Sequence, residues 1–235
     1  MQLLTFDTLP STNDYIREHI LEFADNTAVF ADKQTNGKGR VGKKWESPNG
    51  QLCFSMLVKN GDPIGITHLF AVIVCEVLRK FCSKKVQVGI KWCNDIVIDI
   101  DGNYKKICGI LCEKIGTDII VGIGINLNVA DSYFAEHGLP NAGSLHLETD
   151  KSVIRDLVIA EYEYHNKPFV DVLSRYKTLC VNVGKPVKVI YPTRIVYGNA
   201  VDITDKGELY CADENGGYFT VNSGEVSVRG ITDYV

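Results

Sequence analysis

Apolar positions in the first 183 residues recur with two different periods, and the chain switches repeatedly between them. Ser11-Thr12-Asn13-Asp14 has the Ser/Thr-x-x-acid form of a helix start. Behind it, Tyr15, Ile16, His19, Ile20 and Phe23 fall on one helical stripe. Leu69, Phe70, Ile73, Val74, Val77, Leu78 and Phe81 make a broader apolar face, which predicts a second helix from about Ile64 to Phe81. Val29-Phe30-Ala31 and Gln51 to Val58 read as strands. The β-branched runs Val86–Ile90, Ile96–Ile100, Ile107–Cys112 and Ile119–Ile125 read as sheet. Asp101-Gly102-Asn103 supplies a tight hairpin turn between two of them. An amphipathic segment from Ser152 to Leu179, interrupted near Asn166-Lys167-Pro168, predicts one or two further helices.

At Val183-Gly184-Lys185-Pro186 the pattern changes. Beyond it no helical period survives, and turns recur at Tyr197-Gly198-Asn199, Asp205-Lys206-Gly207 and Glu214-Asn215-Gly216-Gly217. Short strands at that spacing predict a small β-barrel. A hairpin extension packed on the main sheet is the alternative. The expected organisation is α+β: a helix-packed mixed sheet over 1–183 and a small β domain over 184–235.

The 235 residues suffice for a sizeable core. A net charge of −4 argues against sequence-independent nucleic-acid binding, which needs a basic surface. No cationic start leads into an apolar h-region, and the longest apolar run, around Leu69 to Leu78, is broken by Glu76 and is too short for a bilayer. Eight cysteines without such a signal read as reduced thiols in a cytoplasmic protein. They form no Cys-x-x-Cys and the five histidines form no ligand pattern, so no metal site is expected. Cys108 and Cys112 read as small buried hydrophobes.

The segment Thr35-Asn36-Gly37-Lys38-Gly39-Arg40-Val41-Gly42-Lys43-Lys44-Trp45 packs three glycines and four cations between two apolar runs. Glycines let backbone N–H groups approach a ligand, and cations around them suit an anion. The spacing is neither a Walker loop nor a dinucleotide fingerprint, so by itself it reads as a small-anion site or a solvated surface loop. With few evident contacts and like charges that repel, it is expected to be mobile until a ligand orders it.

Four motifs in order narrow the choice: this loop; Lys91-Trp92-Cys93-Asn94-Asp95; Lys106-Ile107-Cys108-Gly109-Ile110-Leu111; and Gly122-Ile123-Gly124-Ile125-Asn126. With Ser11-Thr12-Asn13 and Gln34 they resemble the catalytic domain of biotin–protein ligases, over most of the chain. That family usually has Arg where Lys38 and Lys43 stand, and Pro where Cys93 stands. Lysine keeps the charge without the forked geometry, and Cys93 lacks a fixed φ, so other contacts must hold the turn before Asn94. The resemblance implies a class II synthetase-like catalytic domain followed by an SH3-like one. It also implies the short form, since Ser11-Thr12-Asn13 comes too early for an N-terminal DNA-binding module.

The chemistry implied by the resemblance joins biotin to ATP as biotinyl-5′-AMP, then moves biotin to a lysine of a biotin carboxyl carrier protein. Arg40 is then the bridge between carboxylate and phosphate, and Lys106, otherwise read as a lysine snorkelling to solvent, contacts both anions. Asp95 is a turn-forming residue, a base for the incoming lysine, or an outer-shell partner of Mg²⁺ brought by ATP. Ser11, Thr12, Asn13 and Gln34 are placed at the uncharged ureido ring, although Ser11 also suits simple helix capping. Gly37, Lys38 and Gly39 join the biotin site, with Gly109, Gly122 and Gly124 letting the sheet approach the bicycle. Lys43, Trp45, Asn94 and Asn126 are placed on the ATP side, Trp45 equally as core or as an aromatic wall. A monomer and a homodimer are both compatible with this reading. A lipoate–protein ligase and a non-catalytic biotin or adenylate sensor are the rivals.

Overall fold

The computed structural model describes residues 1–83, 86–165, 167–223, 226–231 and 234–235. A seven-stranded mixed sheet carries the first part of the chain. Its strands are β1 (Leu3–Leu9), β2 (Ala28–Gln34), β3 (Gln51–Val58), β4 (Gln87–Lys91), β5 (Asp95–Ile100), β6 (Asn103–Ile115) and β7 (Asp118–Asn126), in the order β1-β2-β3-β7-β6-β5-β4. Only β1 and β2 run parallel; α1 (Thr12–Glu18) makes the crossover between them. The β5–β6 turn has Asp101 at φ 52° and Gly102 at φ 82°, a backbone that twists with the strands it joins.

Helix α2 (Pro63–Phe81), with α4 (Lys151–Glu163) and α5 (Phe169–Leu179), covers one face of the sheet, and α1 covers part of the other. The main core, around Phe54, Phe70, Leu78, Ile90, Ile107 and Tyr176, lies on the α2 side, and a smaller one, around Ile16, Leu57 and Ile120, lies under α1. Ser11 caps α1 by accepting the Asp14 N–H, and the helix ends at Glu18, short of the predicted stripe, although Phe23 still reaches the smaller core. Strand β1 and the short α3 (Asp131–Glu136) go beyond the elements predicted from sequence. The predicted break in the helical segment separates α4 from α5; Asn166 lies outside the described residues.

Strands β8 (Pro186–Ile190), β9 (Ile195–Ile203), β10 (Leu209–Ala212), β11 (Tyr218–Val221) and β12 (Ser227–Gly230) form a separate antiparallel sheet in the order β11-β10-β9-β8-β12. Its interior side chains, among them Val187, Ala200, Ile203 and Leu209, run on into the main core. The Gly207 turn docks on the first sheet: its carbonyl accepts the Trp92 indole N–H (3.0 Å) and lies 3.1 Å from His68 Nε2. No helix among the described residues is long and apolar enough to cross a membrane.

Candidate active site

Strand alternation makes the site. On β3 and β7, Leu52, Phe54, Met56, Val121, Ile123 and Ile125 point into the main core. Gln51 and Ser55 of β3, and Ile120, Gly122 and Gly124 of β7, therefore share the opposite face. At one end of that face Leu57 and Ile120 pack under α1. At the other, residues without side chains take their place, and a cavity of about 650 Å³ opens, a size suited to a small organic ligand. A methyl added at Gly122 would overlap the Asn13 side chain, and one at Gly124 the Trp45 indole. Sixteen of the seventeen candidates named from the sequence line this cavity; Gly37 borders the adjoining hollow beneath the loop.

One end is lined by uncharged polar groups in a fixed hydrogen-bond order. Gln34 Oε1 accepts the Thr12 N–H (2.8 Å), leaving the Gln34 amide nitrogen as a donor. Thr12 Oγ1 and Ser55 Oγ are 2.6 Å apart, and Ser55 donates to Asn13 Oδ1 (2.5 Å). Asn13 Nδ2 donates to Glu113 (2.6 Å), which also accepts from Arg17 (2.5 Å). Ser11 both caps α1 and lines the cavity. Ser55 and Glu113 escaped the sequence reading, although alternation from Gly122 and Gly109 places them on the same face.

The Gly-rich loop closes on itself as a small hairpin, with Gly39 N–H donating to Lys43 O (2.7 Å) and Trp45 N–H to Gly37 O (2.9 Å). Lys38 pairs with Asp14 at 2.7 Å. Arg40 donates to Asn94 Oδ1 (2.8 Å), Cys93 Sγ (3.1 Å) and the Ser223 carbonyl. The expectation of a loop with few contacts is corrected for two of its four cations: Lys38 and Arg40 find partners distant in sequence, which local composition does not reveal. Lys43 remains exposed at the rim. Trp45 is a wall of the cavity and no part of either core.

Positive charge gathers at the other end. The turn at Cys93 is held by Tyr176, whose hydroxyl donates to the Cys93 carbonyl (3.0 Å), and by Trp92 N–H donating to Asn182 (2.7 Å), contacts that replace a proline ring. Asn94 Nδ2 donates to Ile110 O (2.7 Å), which sets its oxygen towards Arg40. Lys106 Nζ lies 2.7 Å from Asp95 Oδ1. A shift in the β5–β6 register pairs Cys108 with Ile96 but Lys106 with Val97. This bulge sends Ile107 into the core and turns Lys106 to the cavity. Lys105 goes elsewhere, donating to the Pro140 carbonyl (2.5 Å).

Asp95 is buried and its second oxygen accepts the Tyr234 hydroxyl (2.6 Å). Burial alone would raise its pKa; Lys106, Lys91 and the Tyr234 hydrogen bond outweigh it and hold the carboxyl at about 2. A carboxylate that acidic is a poor proton acceptor, so the geometry favours Asp95 as the partner of Lys106 over Asp95 as base. Burial lowers Lys91 to about 8, against the attraction of Asp95 and with the help of Lys106. Asn126, expected on the ATP side, lines the cavity, accepts from Gln51 Nε2 (2.6 Å) and donates to the Gly143 carbonyl (2.9 Å), shaping the wall beside Lys106. Lys91 lies inside the Lys91–Asp95 motif, but the sequence assigns it no role; Arg229 arrives from β12 and Tyr234 from beyond it, and neither leaves a local signal.

Known proteins resemble this chain. Residues 5–129 match the Biotin/lipoate A/B protein ligase family, and residues 183–229 match the Biotin protein ligase C terminal domain. The chain belongs to the biotin/lipoate A/B protein ligase family. Among its relatives is the bifunctional ligase/repressor BirA of Escherichia coli (strain K12), 30% identical over 94% of this chain and 72% of the relative. The biotin–[acetyl-CoA-carboxylase] ligase of Mycobacterium tuberculosis is 28% identical over 86% of this chain and 79% of its own length. The solved biotin protein ligase of Aquifex aeolicus, in complex with biotin and ATP, superposes with a TM-score of 0.81 at 25% identity, covering 97% of this chain and 99% of that one. That superposition spans both the large mixed sheet and the small antiparallel one of this chain.

Proposed function

We propose that this chain activates biotin with ATP, forming biotinyl-5′-AMP and pyrophosphate, and then biotinylates one lysine of a biotin carboxyl carrier protein in the cytoplasm. The observation that carries the reading is the polarity of the cavity. Neutral donors and acceptors on α1, its cap and β2 lie at one end, and Arg40, Lys91 and Lys106 converge at the other. Biotin has the matching shape, with an uncharged ureido bicycle at one end and a carboxylate at the other. Ser11, Thr12, Asn13 and Gln34 would bind the ureido group over Gly122 and Gly124, where an unpaired polar group would cost affinity.

In the first step a biotin carboxylate oxygen attacks the α-phosphorus and pyrophosphate leaves. Arg40 and Lys106 offset the repulsion between the two anions and stabilise the charge that develops, usually the largest catalytic contribution. Trp45 and Lys43 would flank the nucleotide, and Asn94 would keep Arg40 in place. In the second step the neutral amine of the carrier lysine attacks the acyl carbon and AMP leaves. Asp95, paired with Lys106 and Tyr234, offers little as a metal ligand, and among the described residues no three His, Cys, Asp or Glu side chains cluster as a metal site. Mg²⁺ is accordingly assigned to the ATP phosphates.

Pyrophosphate release that depends on biotin but not on lipoate, followed by transfer of biotin to a carrier domain, would establish the reading. Release with lipoate would favour the lipoate reading, and tight biotin binding without any release would favour a sensor.

A further inference from the structure

We infer that Tyr234 is a positioning residue of the adenylation site: its hydroxyl holds one oxygen of Asp95, so that Lys106 pairs with the other oxygen alone and keeps its remaining N–H donors for the substrate anions. The inference rests on the biotin-activating role proposed above. Asp95 is shared one oxygen to each partner, Oδ2 to Tyr234 at 2.6 Å and Oδ1 to Lys106 at 2.7 Å. Lys91 Nζ lies 4.5 Å from the centre of the Tyr234 ring and the Arg229 guanidinium 5.6 Å from it, and these two cations fix the direction in which the hydroxyl points. The cavity of about 650 Å³ exists with this ring in place, so Tyr234 is part of the wall and no plug.

Without the hydroxyl, a buried carboxylate oxygen would lack a donor. Asp95 would then recover its hydrogen bonds by taking Lys106 with both oxygens. The ammonium would be drawn back from the cavity, and the substrate carboxylate and α-phosphate would lose part of its charge. The titratable groups that interact with Asp95 are Lys91 from β4, Lys106 from β6, Tyr234 beyond β12, and the buried Cys93, Cys108 and Tyr176, whose pKa values burial raises and which therefore stay neutral. Removing the Tyr234 hydroxyl takes away one of the influences that keep the carboxyl acidic.

The test is Tyr234→Phe in the full chain, a change of one oxygen atom, assayed by biotin-dependent exchange of pyrophosphate into ATP across pH. The expected result is a kcat lower by about tenfold, the loss of one charge-assisted hydrogen bond. The loss should be larger in kcat than in KM for biotin, and the acid limb of the pH profile should move to higher pH. Tyr234→Ala should fall to the same extent. A Phe variant with parental or faster exchange and an unmoved acid limb overturns the inference. So does a fall confined to Tyr234→Ala, which would mark ring packing as the cause. A parent chain without biotin-dependent exchange would overturn the proposed function and this inference together; an active parent with an unaffected Phe variant would overturn this inference alone.

Discussion

Lys106 reaches Asp95 across the β5–β6 ladder only because the register slips by one residue at Ile107, and the 2.7 Å pair that results faces the cavity instead of the core. Regular alternation from Cys108 and Ile110, both core residues, would have put Lys106 on the apolar face and Ile107 in the cavity. The bulge exchanges them.

Lys106→Ala should therefore slow adenylate formation by about 10² to 10³, the range for loss of one preorganised charge contact. The side chain is part-exposed, so little cavity is left behind, and the fold should persist with Asp95 still held by Tyr234 and Lys91. Transfer from pre-formed biotinyl-adenylate to a carrier should be affected less than exchange of pyrophosphate. Unchanged exchange would return Lys106 to the role of a lysine snorkelling to solvent.

Arg40→Gly removes the side chain anchored to Asn94 and replaces it with backbone freedom in a loop already holding Gly37, Gly39 and Gly42. The activated acid should then escape the cavity. Mass spectrometry should find biotin on lysines of a bystander protein such as serum albumin. A variant as selective as the parent would show that Arg40 does not retain the adenylate.

Trypsin reads the loop directly. Lys38 is paired with Asp14 and Arg40 is anchored, whereas Lys43 and Lys44 are exposed. Cleavage of the free protein should fall after Lys43 or Lys44, and biotin should slow it severalfold by giving the loop an anion and an apolar surface to close over. Equal rates with and without biotin would mean that ligand does not order this segment.

Gly124→Ala tests the wall. The added methyl would overlap the Trp45 indole, so the indole must move. Calorimetry should show biotin binding weakened by at least tenfold, with thermal stability nearly unchanged because the displaced ring borders a cavity. Parental affinity would place the ligand away from β7.

Lys91 gives a pH signature. Burial holds its folded-state pKa at about 8, below the ordinary 10.5. Between those values the unfolded chain binds more protons than the folded one, so stability rises with pH across that window. Lys91→Met abolishes this contribution. Urea unfolding at pH 8 and pH 10 should show the parent gaining on the Met variant, by about 2 kcal/mol. Parallel behaviour would mean that Lys91 is charged in the fold throughout.

The sequence by itself determined the strands and helices whose period is strong, among them β3, α2, β7 and the cap at Ser11, because burial of a single face dictates that period locally. It also determined the family, through four motifs in order, and named sixteen of the residues that line the cavity. Tertiary structure decided which atoms meet. The partners of Lys38 and Arg40 come from α1 and the turn before β5, Arg229 comes from β12, and Tyr234 from beyond it. Hydrogen bonds and ion pairs between segments far apart in the chain leave no periodic trace, since their distances are set by how the sheet twists and where its register slips. Alternation showed that Gly122 and Gly124 share a face; only the fold put Asn13 and Trp45 over them.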